Sequence, residues 1–223
     1  MRGKLALKAL CGYAAGLVLV GALIFLPAGT LSFPRGWLFL CVLFLPMLVM
    51  GLVMLVKAPD LLKRRLENKE KEQTQKTVVA LSGLMFLAGF VLCGLDFRFG
   101  WTQLPLWVTH LAAIAFLFGY GMYAKVLREN SYLSRTVKVE AEQTVIDTGL
   151  YGIIRHPMYT ATVLMFVMIP LILGSLAALP VFLVYPVIIV LRIRNEEQVL
   201  KAELRGYAEY CTRVKYRLLP HIW

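Results

Sequence analysis

The chain has 223 residues, 59% of them apolar, and its mean hydropathy is +0.70, with the 17% of residues that are charged gathered into blocks. That composition excludes an ordinary soluble domain and describes one integral membrane domain of residues 1–223, in which lipid solvates much of the apolar surface. The net charge of +11 lies in blocks beside apolar stretches, which is the pattern of membrane topology and of attraction to anionic lipid, and it argues against a nucleic-acid partner.

The first apolar window runs from Ala9 to Leu26, behind Arg2, Lys4 and Lys8. No small-x-small cleavage site stands at Pro27-Ala28-Gly29, so the window reads as a retained helix rather than a secretory signal. Further windows run from Trp37 to Val56, from Thr77 to Leu95 and from Leu104 to Ala124, each near the ~20 residues that cross a hydrocarbon core of ~30 Å. Residues 1–124 are therefore expected to form a four-span bundle. Between the second and third windows, Lys63 to Lys76 is charge-rich and helix-compatible, a solvated surface segment.

A fifth window, Met158 to Leu191, has 34 residues and would be ~51 Å long as one helix, too long to cross with ordinary tilt. It should fold back as a hairpin, residues 158–191, broken at Gly174-Ser175 between Pro170 and Pro180, and either cross a thinned membrane or stop short of its far side. The expected fold class is thus an all-α integral membrane protein: four spanning helices, a C-terminal helical hairpin and a cytosol-facing pocket.

Charge placement orients that bundle. Of the 24 basic residues, 22 fall before the first window, between the second and third, or on either side of the hairpin, and only Arg35 and Arg98 lie in the opposite loops. The basic side faces the cytoplasm, with both termini on it. Twelve of the 13 acidic residues share that side, and Asp96 is the exception. Cys11, Cys41, Cys93 and Cys211 are scattered without a disulfide framework or metal-ligand spacing, and with only His110, His156 and His221 beside them no metal site is expected.

Polar residues concentrate in Glu129 to Arg155 and in Arg192 to Tyr210, the two segments that the hairpin brings together. Pro157 suits the first position of a helix, whose N-terminus would face Arg155, His156 and Tyr159 and favour an anion. After the hairpin, Glu196-Glu197 open an amphipathic helix with Val199, Leu200, Leu204 and Tyr207. Taken singly, His156 reads as a helix cap, the two acids as solvated, Tyr151, Tyr207 and Tyr210 as interfacial anchors, and Arg192 and Arg194 as markers of the membrane boundary. Held together by a hairpin, they make one cavity.

From Val145 to about Val214 the order and spacing of Gly149-x-Tyr151, Arg155-His156-Pro157-x-Tyr159, Glu196-Glu197, Leu200, Gly206-Tyr207, Tyr210 and Arg213-Val214 resemble the isoprenylcysteine carboxyl methyltransferase family, in a short, prokaryotic-type build, and the wider group that contains phospholipid methyltransferases. The resemblance implies that residues 125–223 are a catalytic region that binds S-adenosyl-L-methionine at the cytosolic face of a prokaryotic inner membrane, while a lipophilic or small-molecule methyl acceptor arrives from the bilayer. It assigns the cofactor to Tyr151, Arg155, His156, Pro157, Tyr159, Glu196 and Glu197. The acceptor side falls to Arg194, Tyr207, Tyr210 and Arg213, with Arg194 and Glu197 as the catalytic residues. The cofactor's carboxylate would meet the helix pole at His156, its ammonium and sulfonium would meet Glu196 and Glu197, and Glu197 or His156 would help deprotonate an amine or thiol acceptor.

One departure from the family pattern is Ala161, where Gly is usual after Arg-His-Pro-x-Tyr-x. Alternative readings are a phospholipid or thiol methyltransferase, an NADPH-dependent sterol-type reductase, and a non-catalytic membrane protein. The reductase motif places Asn before the Tyr that follows Arg-His, whereas this chain has Pro157 and Met158 there.

Overall fold

A computed structural model describes residues 2–66, 73–133, 139 and 143–223, and every described element is helical. Four long helices, α1 (Arg2–Ala28), α2 (Pro34–Lys57), α4 (Gln73–Phe99) and α5 (Leu106–Glu129), are apolar and long enough to cross a membrane. The shorter α3 (Pro59–Arg65) follows α2. After a 3-10 turn at Gly149–Gly152 come α6 (Pro157–Leu173), α7 (Leu179–Phe182), α8 (Val184–Glu203) and α9 (Tyr207–Arg213).

The lipid-facing surface is what the apolar windows foretell: Leu10, Val18 and Leu19 on α1, and Val49 and Leu52 on α2, are exposed. The interior is held by aromatic rings, with Phe39, Phe116 and Phe182 buried and Phe86 meeting Phe166 edge-on at 4.8 Å. The most extensive helix pairing joins α5 to α6. Gly119 on α5 makes it possible, because a Cβ there would stand 2.7 Å from Met165 Cγ and 3.2 Å from the Ala161 carbonyl oxygen. Ala161 is therefore buried at a helix–helix contact and does not line the site cavity described below.

The fifth window does fold back. Gly174, in the left-handed conformation, ends α6, and the chain returns through α7 into α8. At ~1.5 Å per residue the 17 residues of α6 reach about 26 Å. The turn is stapled by Asp96, the acid that stood apart in the charge pattern. Its carboxylate, 1% exposed near the end of α4, accepts a hydrogen bond from the Ser175 hydroxyl and another of 2.7 Å from the Thr102 amide. The Ala178 amide donates in turn to Ser175 Oγ at 3.1 Å. The hairpin turn thus meets the C-terminal end of α4 and the loop that follows it.

Two expectations need correction. Glu196 and Glu197 do not open a new helix after the hairpin, because α8 continues unbroken from Val184 to Glu203 and carries both acids within it. The Lys63 to Lys76 segment begins on α3, which is not simply solvated. Leu61 and Leu62 are buried, Arg64 donates to the Ser131 carbonyl at 3.0 Å, and Arg65 donates to the Tyr123 hydroxyl. Residues 67–72 of that stretch, with Lys69 and Lys71, lie outside the described residues, as do Arg135 and Lys138, whereas 73–76 already belong to α4, with Gln75 buried.

Candidate functional site

Beside the C-terminal end of α5, the 3-10 turn, the N-terminus of α6, the second half of α8 and α9 enclose a cavity. Local chemistry explains why the chain turns there. Glu129, the last residue of α5, accepts the Leu150 amide at 2.9 Å and so pins the 3-10 turn to the bundle. Proline at the first position of α6 needs no amide partner, which lets the helix begin at Pro157 with His156 as its cap residue. The Tyr210 hydroxyl donates to the Tyr151 carbonyl at 2.7 Å and closes α9 onto the turn.

Within the cavity wall, the Arg192 Nε donates to the Tyr159 hydroxyl at 2.8 Å, and that hydroxyl donates to Glu196 Oε2. The Arg192 guanidinium also lies 5.7 Å from the centroid of the Tyr159 ring, a cation–π distance. Asn130 Nδ2 donates to the Tyr151 hydroxyl at 3.1 Å. Glu196 therefore faces the cavity as a carboxylate already oriented by a tyrosine, among aromatic rings.

Glu197 faces the other way. Neighbours on an α-helix are about 100° apart, so one acid of the pair lines the cavity while the other is buried behind it. The Glu197 side chain is 4% exposed, with Oε1 at 3.1 Å from Arg155 Nε and 3.2 Å from His156 Nε2, and Oε2 accepting from Arg217 Nε at 3.1 Å. Arg155 Nε is off the line of a hydrogen bond, so its contact with Glu197 is one of charge alone. Burial pushes the Glu197 carboxyl up, yet the hydrogen bond with His156 and the neighbouring His156, Arg155 and Arg217 outweigh it and hold its pKa at about 2, below the ordinary 4.5.

Of the residues singled out in the sequence, Tyr151, Arg155, His156, Tyr159, Glu196, Tyr207 and Tyr210 line the cavity. Pro157 and Glu197 are buried beside it, and Arg194 and Arg213 lie away from it. Arg194 is exposed, while Arg213 pairs with Asp147 at 2.8 Å on the surface. The lining also takes in Arg192, Asn130, Met158, Thr144, Val145 and Leu204, which the resemblance assigns neither to cofactor nor to acceptor. A signal for the arginine existed: Arg192, Glu196 and Leu200 recur every four residues, so one stripe of α8 carries them to the cavity, and Leu204 continues it just past the helix end. Asn130 offers no such pattern.

One observation independent of any motif bears on S-adenosyl-L-methionine, the ligand that the resemblance implies. Tyr207 lines the cavity, and its hydroxyl is buried with no hydrogen-bond partner among the described residues. Burial, followed by the Glu197 and Glu196 carboxylates, pushes its pKa far up, so it remains a neutral donor in need of an acceptor. An anionic group placed in the cavity would meet Arg155 and His156, a cationic one Glu196 and the tyrosine rings, and a flat base the apolar Val145, Leu200 and Leu204. No group of three or more His, Cys, Asp or Glu placed to hold a metal occurs among the described residues.

Comparison with known proteins gives the kinship. Residues 107–205 match the phospholipid methyltransferase family. Over 91 residues, 40% of this chain, the sequence is 32% identical to the Delta(14)-sterol reductase of Mus musculus, of which the match spans only 22%. In fold, 96% of the chain superposes on 77% of the eukaryotic intramembrane Ras methyltransferase, isoprenylcysteine carboxyl methyltransferase, with a TM-score of 0.59 and 19% identity. The stretch that matches the phospholipid methyltransferase family holds the site residues from Gly149 to Glu197, and the fold of the chain resembles that of isoprenylcysteine carboxyl methyltransferase.

Proposed function

We propose that this protein is a membrane methyltransferase that binds S-adenosyl-L-methionine in the α6–α8–α9 cavity and methylates a lipophilic acceptor. The observation that carries the reading is the cavity itself, in which Arg155 and His156 stand at one pole, Glu196 lies against Tyr159, and the Tyr207 hydroxyl has no partner among the described residues. When bound, the cofactor supplies an electrophilic methyl group on a sulfonium, whose carbon–sulfur bond breaks as the acceptor's bond to carbon forms, the electron pair passing to sulfur. The chain's own task is alignment and exclusion of water.

Glu197 is poorly suited to serve as a general base. A carboxylate held at a pKa of about 2 has little drive to take a proton from an amine or a thiol. His156 Nε2 is engaged by the same carboxylate. The site therefore favours a nucleophile that arrives already ionised, such as a carboxylate on a lipophilic chain. Residues 125–223 form the cofactor-binding region in this reading, residues 1–124 the anchoring bundle. The basic side, with both termini, faces the cytoplasm of a prokaryotic inner membrane, supported by the 22 basic residues assigned to it.

The test is radiolabelled methyl transfer by the purified protein to lipophilic carboxylates, lipid amines and thiols in parallel. The expected outcome is labelling of the carboxylate class, as a base-labile ester. Labelling of amines alone would overturn the choice of acceptor, and the absence of transfer to all three classes would count against the methyltransferase reading.

A further inference from the structure

The segment 214–223 is not part of the cavity lining, yet it touches the site turn repeatedly. The Arg155 amide donates to the Tyr216 carbonyl at 2.9 Å and the His156 amide to the Arg217 carbonyl at 3.0 Å. One turn further along α6, the Thr160 hydroxyl donates to the Leu218 carbonyl at 2.8 Å. The segment is itself folded back, with the Arg217 and Leu218 amides donating to the Trp223 carbonyl at 2.8 and 2.9 Å, and the Arg217 guanidinium 5.1 Å from the Trp223 ring. Trp223 in turn packs on the bundle's apolar core. These contacts form a strap running across the outer side of the Arg155–His156 turn.

Arg217 carries the strap's side-chain contribution. Glu197 Oε1 faces Arg155 and His156, and its Oε2 faces Arg217. Without Arg217 one carboxylate oxygen would lose its cation and hydrogen bond, and the acid would be free to rotate away from the two residues that point into the cavity. We propose that Arg217 is a positioning residue. Acting through Glu197, it fixes the side chains of Arg155 and His156 at the cavity, while the 214–223 strap fixes their backbone. The inference rests on the reading of the cavity as an S-adenosyl ligand site.

The experiment compares the parent with Arg217→Gln, Arg217→Lys and, as a charge-matched control in the same strap, the exposed Lys215→Gln. S-adenosylhomocysteine binding is measured by calorimetry in detergent, and amide hydrogen exchange is measured on the ligand-free proteins. Arg217→Gln is expected to bind about tenfold or more weakly, the scale of a lost charge-assisted hydrogen bond, and to exchange faster at residues 153–158 with α1 and α2 unchanged. Arg217→Lys should recover binding to within about threefold of the parent, and Lys215→Gln should match the parent, since a solvated charge contributes little. Parent-like binding and exchange in Arg217→Gln would overturn the proposal. So would faster exchange across α1 and α2 with no rescue by lysine, which would make Arg217 a residue of general stability. Failure of the parent itself to bind would instead reject the reading of the cavity, and the ligand-free exchange would still judge the positioning role.

Discussion

Replacing Glu197 by Gln keeps the side chain's shape and removes its charge, leaving Arg155, 5% exposed at its side chain, and Arg217 without their common counter-ion. Two estimates of the cost agree. Lowering a carboxyl from 4.5 to about 2 on folding, at about 1.4 kcal/mol per unit, contributes about 3 kcal/mol of stability. Breaking a buried ion pair from one side typically costs about 3–5 kcal/mol. Because the folded pKa lies below the unfolded one, this contribution is complete above pH 4.5 and fades as the pH falls toward 2. Equilibrium unfolding in mixed micelles, followed by circular dichroism, should find Glu197→Gln less stable than the parent by about 3 kcal/mol at pH 7. The gap should shrink steadily on acidification below pH 4.5. Equal stability at neutral pH, or a gap indifferent to acid, would refute the buried cage.

Other consequences are more local. Arg192→Gln should weaken S-adenosylhomocysteine binding about 10- to 100-fold by freeing Tyr159 and Glu196, while Arg194→Gln, whose side chain lies outside the cavity, should change it by less than about threefold; calorimetry on the two variants separates them. Tyr207→Phe should move two properties in opposite directions: removing an unpartnered buried hydroxyl should leave the ligand-free protein as stable or up to about 2 kcal/mol more so, while ligand binding weakens about tenfold. Asp96→Ala should cost about 2–4 kcal/mol in unfolding measurements by orphaning the Ser175 hydroxyl and the Thr102 amide, with little effect on ligand affinity because the staple is at the far end of α6.

The spans were legible because each one carries its own evidence: an apolar run of membrane length, bounded by charge. The break at Gly174-Ser175 was legible for the same reason, since a helix of 34 residues overshoots the membrane and the breaking residues stand at its middle. What escaped depends on partners distant in the chain. Glu196 and Glu197 are alike in sequence, and only the rotation of α8 against α6 and the strap decides that one faces the cavity and the other a cage of cations. The resemblance points to Arg194, whereas counting back four residues from Glu196 along α8 leads to Arg192. Asp96 stood out by its side of the membrane, yet its partner Ser175 lies 79 residues away, and Arg217 gives no local sign of its 20-residue reach to Glu197.

Calorimetry of the purified protein in detergent against S-adenosylhomocysteine and NADPH tests the central claim most directly. The account predicts saturable, one-to-one binding of the S-adenosyl ligand at micromolar level, about −8 kcal/mol, and no heat from NADPH. Binding of NADPH with none of the S-adenosyl ligand would contradict it and move the cavity to the chemistry of the sterol reductase whose sequence it partly shares.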